Sequence, residues 1–495
     1  MQNKSIYTAV LAFALASCGE SSRLPLPPSA ATEVALVDGN EQSGPVGSVL
    51  PEPLQVLVID VEDDPLAGVT VTWSVVDGGG SVTPSSTTNE LGIASAQATL
   101  GPGAGEQHFQ AEIPGLLGSP VVFTATAIEE PEPPAGLGVV GGGDNVPDRF
   151  SSDLWVHGNY AYTGTWGDRG GTVGNALNVW SLGTDGSPTF VRSVTVPKVG
   201  TVSDVQVSED GQLLVLSGER GTNGGIYLYS LTNPASPSFI SSALVGEGGV
   251  HTVTLADING RRYAFAARNP WLQDPALLIY DITDAETPAL VATKVYPERD
   301  YGIHDTFVRD GIAFAFVWND PGLVIYDVGN GIAGGSPEDP VVLSRLVTKA
   351  NNICCGPSVH NGWWFHNPVS GERRYLFVGQ EGASVTGSNS SGDIHVVDVS
   401  DLRNPTEVAF FHLNGAGTHN FWMDEERQIL YAAYYNAGVV ALDVSGTLSG
   451  NLSSRLISRV RPGGFDNTFT WGVQLANGFL YAIDMLSGLW QLTTE

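Results

Sequence analysis

Apolar residues recur with a period of two through most of this chain. Val69, Val71, Trp73 and Val75 alternate with Thr70, Thr72 and Ser74, which predicts a strand with one buried face. Stretches 94–100, 107–113 and 121–127 read the same way, and Gly78-Gly79-Gly80 and Pro84-Ser85-Ser86 break the chain. About seven short strands within residues 32–128 predict a β-sandwich. It holds no Cys, so Trp73 must pack without a disulfide partner. His108 falls on a strand and reads as a surface residue. Glu129-Glu130-Pro131-Glu132-Pro133-Pro134 then predicts an extended, self-repelling linker over 129–135.

Residues 136–495 repeat with a period of roughly 50. In four units a short apolar strand closes on Asp or Ser, and a Pro follows seven residues later. These are 177–181 with Pro188, 226–230 with Pro237, 277–281 with Pro288 and 394–398 with Pro405. Looser copies at 322–327, 439–443 and 489–492 bring the count to seven. Two strands precede each copy, as at 305–308 and 313–318, and a fourth follows the Pro, as at 290–295. Seven units of four strands predict a seven-bladed β-propeller, which fits the count better than six or eight. The last unit has only three strands, and 137–140 could supply its missing edge and close the ring. The units resemble the LVIVD-repeat family, whose signature is this third-strand pattern.

The first strand of each blade faces a propeller's central channel. Aligned on the Gly that ends them, these strands begin with Ser151, Ser203, His251, His304, His360, His419 and Trp471. Four of the nine His of the chain therefore share one structural position in consecutive blades. Converging imidazoles could bind a transition metal such as Cu, Zn or Fe. The other reading is a repeated polar lining that holds water. Asp204, Asp305, Asn361 and Asn420 follow directly and could orient the rings, although neighbours on a strand point to opposite faces. His366 shares the face of His360 if the strand continues that far. His157, His395 and His412 read as structural. Trp363, Trp364, Phe421 and Trp422 read as packing between sheets. Asp281, Asp327, Asp398 and Asp443 close third strands and read as turn-fixing residues.

Composition narrows the function classes. With 52 acidic against 22 basic residues the net charge is −30, so a nucleic-acid partner is not expected. Three Cys exclude a disulfide scaffold, and 42% apolar residues exclude disorder. No nucleophile elbow, phosphate loop, zinc-protease helix or EF-hand loop is present.

The first residues describe export. Lys4 precedes an apolar stretch over 9–16, too short to span a bilayer, and Leu15-Ala16-Ser17-Cys18 follows. This resembles the lipobox of bacterial lipoproteins. The resemblance implies a signal peptide over 1–17, lipidation of Cys18 and, with Gly19 next, retention at the outer membrane of the cell envelope. Residues 18–31 then form a Pro-rich tether. The sandwich segment, through Pro65-Leu66-Ala67-Gly68-Val69, Gly80-Ser81-Val82, Gly92-Ile93-Ala94 and Phe123-Thr124-Ala125-Thr126-Ala127, resembles the bacterial group 1 Ig-like domains of intimin and invasin. Such domains are usually spacers.

Cys354 and Cys355 are adjacent, seated before His360. In an exported protein they could form a strained vicinal disulfide. Metal ligation and two free thiols remain the alternatives. Selenium-binding proteins with methanethiol oxidase activity are similar in outline, as seven-bladed propellers with channel histidines, but no motif of theirs matches. Two functions stay open: a monomeric binding scaffold for a protein, glycan or small ligand, or a metal-dependent propeller enzyme with His251, His304, His360 and His419 as ligands.

Overall fold

A computed structural model describes residues 30–128, 136–143, 146–268, 274–296, 302–318, 322–348, 358–382, 386 and 389–494. The signal segment, Cys18, the linker at 129–135 and the Cys354-Cys355 pair lie outside the described residues. The chain divides into two compact units, residues 1–132 and 133–495. Among the described residues no helix is long and apolar enough to cross a membrane.

The first unit packs two sheets face to face. One holds Glu33–Asp38, Leu54–Ile59 and Ile93–Ala96; the other holds Gln42–Pro45, Val121–Ile128, Gly105–Glu112, Thr70–Val75 and Ser85–Thr87. The period-two pattern has its expected cause. Val71 and Trp73 are buried while Thr70 and Thr72 face water. Trp73 meets Phe123 at 5.9 Å, and its Nε1 donates to Ser86 Oγ at 2.9 Å. A ring contact and a hydrogen bond thus replace the missing disulfide. His108 sits in an exposed ion pair with Asp77 at 2.9 Å, as a surface residue would.

Among the described residues the second unit contains seven blades, each built on four antiparallel strands; the pair Thr165–Val202 joins the first two into one sheet, and Gly450–Asn451 adds a short parallel strand to the fifth. The fourth blade is typical, with strands Ile303–Arg309, Ile312–Val317, Leu323–Asp327 and Val341–Leu346. Every residue of Ile312–Val317 and Leu323–Asp327 is buried. Both faces of these inner strands press against neighbouring sheets, which is why they read as unbroken apolar runs. Seven apolar cores result, one between each pair of adjacent sheets. The seventh joins last to first: Tyr481 and Ile483 pack with Leu154, Val156 and Trp180. The ring is therefore closed, and the unit is a seven-bladed β-propeller.

The closing strand is where the sequence placed it. Gly138–Gly142 pairs antiparallel with Gly488–Thr493, setting Val139 against Leu492. The last blade thus takes its outer strand from the start of the unit, which completes it to four strands.

The Asp residues closing third strands hold the turns that follow. Asp281, Asp398 and Asp443 accept backbone N–H bonds from Thr283, Ser400 and Ser445 at 2.8–3.0 Å. Asp327 is buried and accepts from Gly329, Asn330, Gly331, Ala333 and Gly335, which organises the long loop of its blade. Asp327→Ala strands those donors and is expected to cost about 2–4 kcal/mol. Denaturant unfolding of the isolated propeller measures this, and a change within error would refute the role.

Candidate functional site

The channel is built from the first strands, and six of the seven carry an irregularity at the same place. Register slips between Val250 and Val253, between Ile303 and Asp305, and between Val359 and Asn361, opposite a regular second strand. A bulge of this kind lets two consecutive residues turn to one side. His304 and Asp305 therefore both line the channel cavity, as do His360 with Asn361 and His419 with Asn420. Strict alternation forbids this; the bulge removes that objection. In the first blade the register makes Ser152, not Ser151, the counterpart of Ser203. The spacing to the turn glycine is shorter in that blade, so aligning on glycine misplaces it by one.

The cavity, of about 250 Å³, is arranged in tiers. The first is an arc of rings. Imidazole centroids stand 4.2 Å apart from His251 to His304, 4.2 Å from His304 to His360 and 4.1 Å from His360 to His419. Trp471 continues it 3.9 Å from His419, and Trp166 bridges back to His251 at 5.8 Å. The second tier is Asp153, Asp204, Asp305, Asn361 and Asn420. The third, two residues further along each strand, holds Trp155, Gln206, Phe307, Trp363, Trp422 and Gln474. Trp364 packs between sheets as expected, whereas Trp363, Trp422 and the packed Phe421 also edge the cavity.

The four imidazoles do not share one centre. The donors that converge are His304, His360 and Glu381, whose ligand atoms lie within 4.8 Å of one another. Glu381 ends the second strand Tyr375–Glu381. Its Oε2 is 3.5 Å from His360 Nε2 and 3.9 Å from His304 Nε2. Bonds of about 2.0–2.2 Å place neighbouring tetrahedral donors about 3.3–3.5 Å apart, so a small adjustment would seat an ion. His251 and His419 flank this trio. His419 Nδ1 donates to the Trp471 carbonyl at 2.6 Å, which fixes its tautomer and leaves the Nε2 lone pair available. His251 Nδ1 lies 3.3 Å from Glu219 Oε1. Tyr435 donates to Glu381, and Trp318 stacks flat on His304, 5.0 Å away. Such outer partners orient metal-binding side chains.

Two inner-strand acids were missed in the sequence. Glu219 and Glu381 each end a second strand, as Ser217-Gly218-Glu219 and Gly379-Gln380-Glu381. Their shared place at the end of a second strand is the signal that marks them in the sequence. His366 does not line the cavity. The strand ends at Trp364, and His366 turns against the Trp364 ring and toward Asp310, 3.9 Å away. His395 pairs with Glu407 at 3.0 Å and His412 with Asp393 at 2.6 Å, both structural.

Burial sets the charges. It pushes the His360 imidazole down to about 3, and the neighbouring His251 adds to this. Burial and the adjacent imidazoles likewise hold His304 and His419 well below the usual histidine range. His251 moves the other way, because Glu219, Glu381 and Asp305 together outweigh its burial. Burial raises Glu381 and Asp305 to about 7 each. A depressed imidazole adds stability that is complete above the unfolded value near 6.5 and lost as pH falls toward 3. Raised carboxyls add stability that is complete below their unfolded values and lost as pH rises through 7. In metal-free protein, 15N NMR is expected to show His304, His360 and His419 neutral at pH 5 and His251 protonated there. Protonation of His360 near 6.5 would contradict this site.

Neutral imidazoles beside a carboxylate bind divalent transition metals without proton competition at the rings. Two His and one Glu leave coordination positions open, as in centres that polarise a bound group.

No protein-family model and no curated protein matches the chain. Among solved structures, the β-propeller domain of Swd1 from Myceliophteria thermophila aligns with a TM-score of 0.46 and 13% identity, covering 70% of this chain and 98% of that one. A protein from Lactobacillus plantarum aligns with a TM-score of 0.49 and 14% identity, covering 67% and 91%. The propeller assignment rests on the seven sheets and their closed ring.

Proposed function

We propose that this chain is an envelope lipoprotein whose Ig-like spacer presents an LVIVD-type propeller. The propeller is a binding scaffold with a transition-metal centre in its channel, held by His304, His360 and Glu381 and flanked by His251 and His419. One observation carries the metal reading: two buried imidazoles and a partly buried carboxylate, from two adjacent blades, bring their donor atoms within 4.8 Å. A water-binding lining needs no such convergence.

The anchoring reading rests on Lys4, the apolar stretch over 9–16 and Cys18. The spacer reading rests on the two-sheet sandwich and the motifs given above. Elemental analysis of protein purified without a His-tag tests the metal. About one equivalent of Cu, Zn or Fe is expected. Less than about a tenth, after reconstitution with each, would overturn it.

A further inference from the structure

Below the imidazole arc, the cavity changes character. Asp153, Asp204 and Asp305 come from three different blades and all line it. Asp153 and Asp204 share a hydrogen bond, so one of them holds a proton there. Asn420 Nδ2 donates to Asp153 Oδ1 at 2.9 Å, and Val253 N–H donates to Asp204 Oδ2 at 2.7 Å. Asn361, 4% exposed, lines the same space.

Facing these groups is a continuous aromatic arc. Phe307 meets Trp363 at 5.2 Å, Trp363 meets Trp422 at 5.3 Å, and Trp422 meets Trp155 at 6.1 Å. All four rings line the cavity and are half-buried, so this tier also meets solvent.

We propose that this lower part of the cavity binds a small organic ammonium ion, with its charge toward Asp153, Asp204 and Asp305 and its alkyl groups against Trp155, Trp363 and Trp422. The chemistry selects that class. Aromatic faces attract a cation and tolerate its methyl groups, while buried carboxyls supply the counter-charge. A hydrated metal ion gains little from indole faces, and an anion is repelled by the carboxyls. A neutral alcohol could touch the rings but leaves the carboxyls without a partner.

The proposal stands apart from the metal centre, because it uses none of the metal donors. Its test is calorimetric titration of the full chain with choline and with tetramethylammonium, in chelator-treated and in metal-loaded protein. Binding is expected in both, with quenching of Trp fluorescence. Trp422→Leu and Asp305→Asn are each expected to weaken it roughly tenfold, the scale of one desolvated cation contact. Melting curves identify the variants that remain folded, and Trp363→Leu replaces one that does not. Failure of the wild-type protein to bind at tens of millimolar would overturn the proposal. So would equal binding of 3,3-dimethyl-1-butanol, the uncharged isostere of choline. Ammonium binding in a protein that takes up no metal leaves this inference standing and removes the other.

Discussion

Replacing His360 by alanine is expected to abolish tight metal binding, lowering affinity by more than about a hundredfold. His360 is 1% exposed, and its Nε2 stands 3.5 Å from Glu381 Oε2. No other imidazole can take its place without moving a strand, because His304 and His419 belong to the blades on either side. His304→Ala and Glu381→Gln should behave alike. Tyr435→Phe removes only the hydrogen bond that orients Glu381, and is expected to cost about ten- to a hundredfold. Competition with a chromogenic chelator measures all four. If His360→Ala stays within threefold of wild type while folded, the trio is not the binding site. His251→Ala separates the two arrangements considered: a four-imidazole centre loses as much as with His360→Ala, whereas the trio keeps most of its affinity.

The second large effect concerns closure. Deleting residues 136–143 removes the strand Gly138–Gly142 and exposes Gly488–Thr493 along its whole edge. Every other blade has its four strands, so this one alone would be left a strand short. We expect the shortened propeller to melt roughly 5–10 °C lower than the one beginning at residue 133. It should also associate with time through the freed edge. Differential scanning calorimetry and light scattering on the two proteins check this. Equal melting and a monodisperse shortened protein would show that the closing strand adds nothing.

Much of this architecture was legible because its cause is local. Strands buried on both faces must be apolar throughout, so runs such as Leu277 to Tyr280 announce themselves. The repeated Asp marks a turn because its carboxylate binds the next backbone N–H groups. The four histidines were legible because a repeat puts equivalent residues at equivalent places. What was not legible depends on geometry between blades. Glu381 joins His304 and His360 only because the end of a second strand lies beside the start of the neighbouring first strand. The bulges turn adjacent residues to one side, and no periodicity records a bulge. The aromatic arc reads as packing in any single strand, and becomes a wall only when four blades are set in a ring.

The central claim is that one metal ion sits on His304, His360 and Glu381. Anomalous scattering at the absorption edge of the metal, from crystals of the loaded protein, tests it most directly. One strong peak is expected in the channel, about 2.0–2.2 Å from His304 Nε2, His360 Nε2 and a Glu381 carboxylate oxygen. A peak at an exposed pair such as His108 and Asp77, or no peak in the channel of a fully loaded crystal, would contradict it.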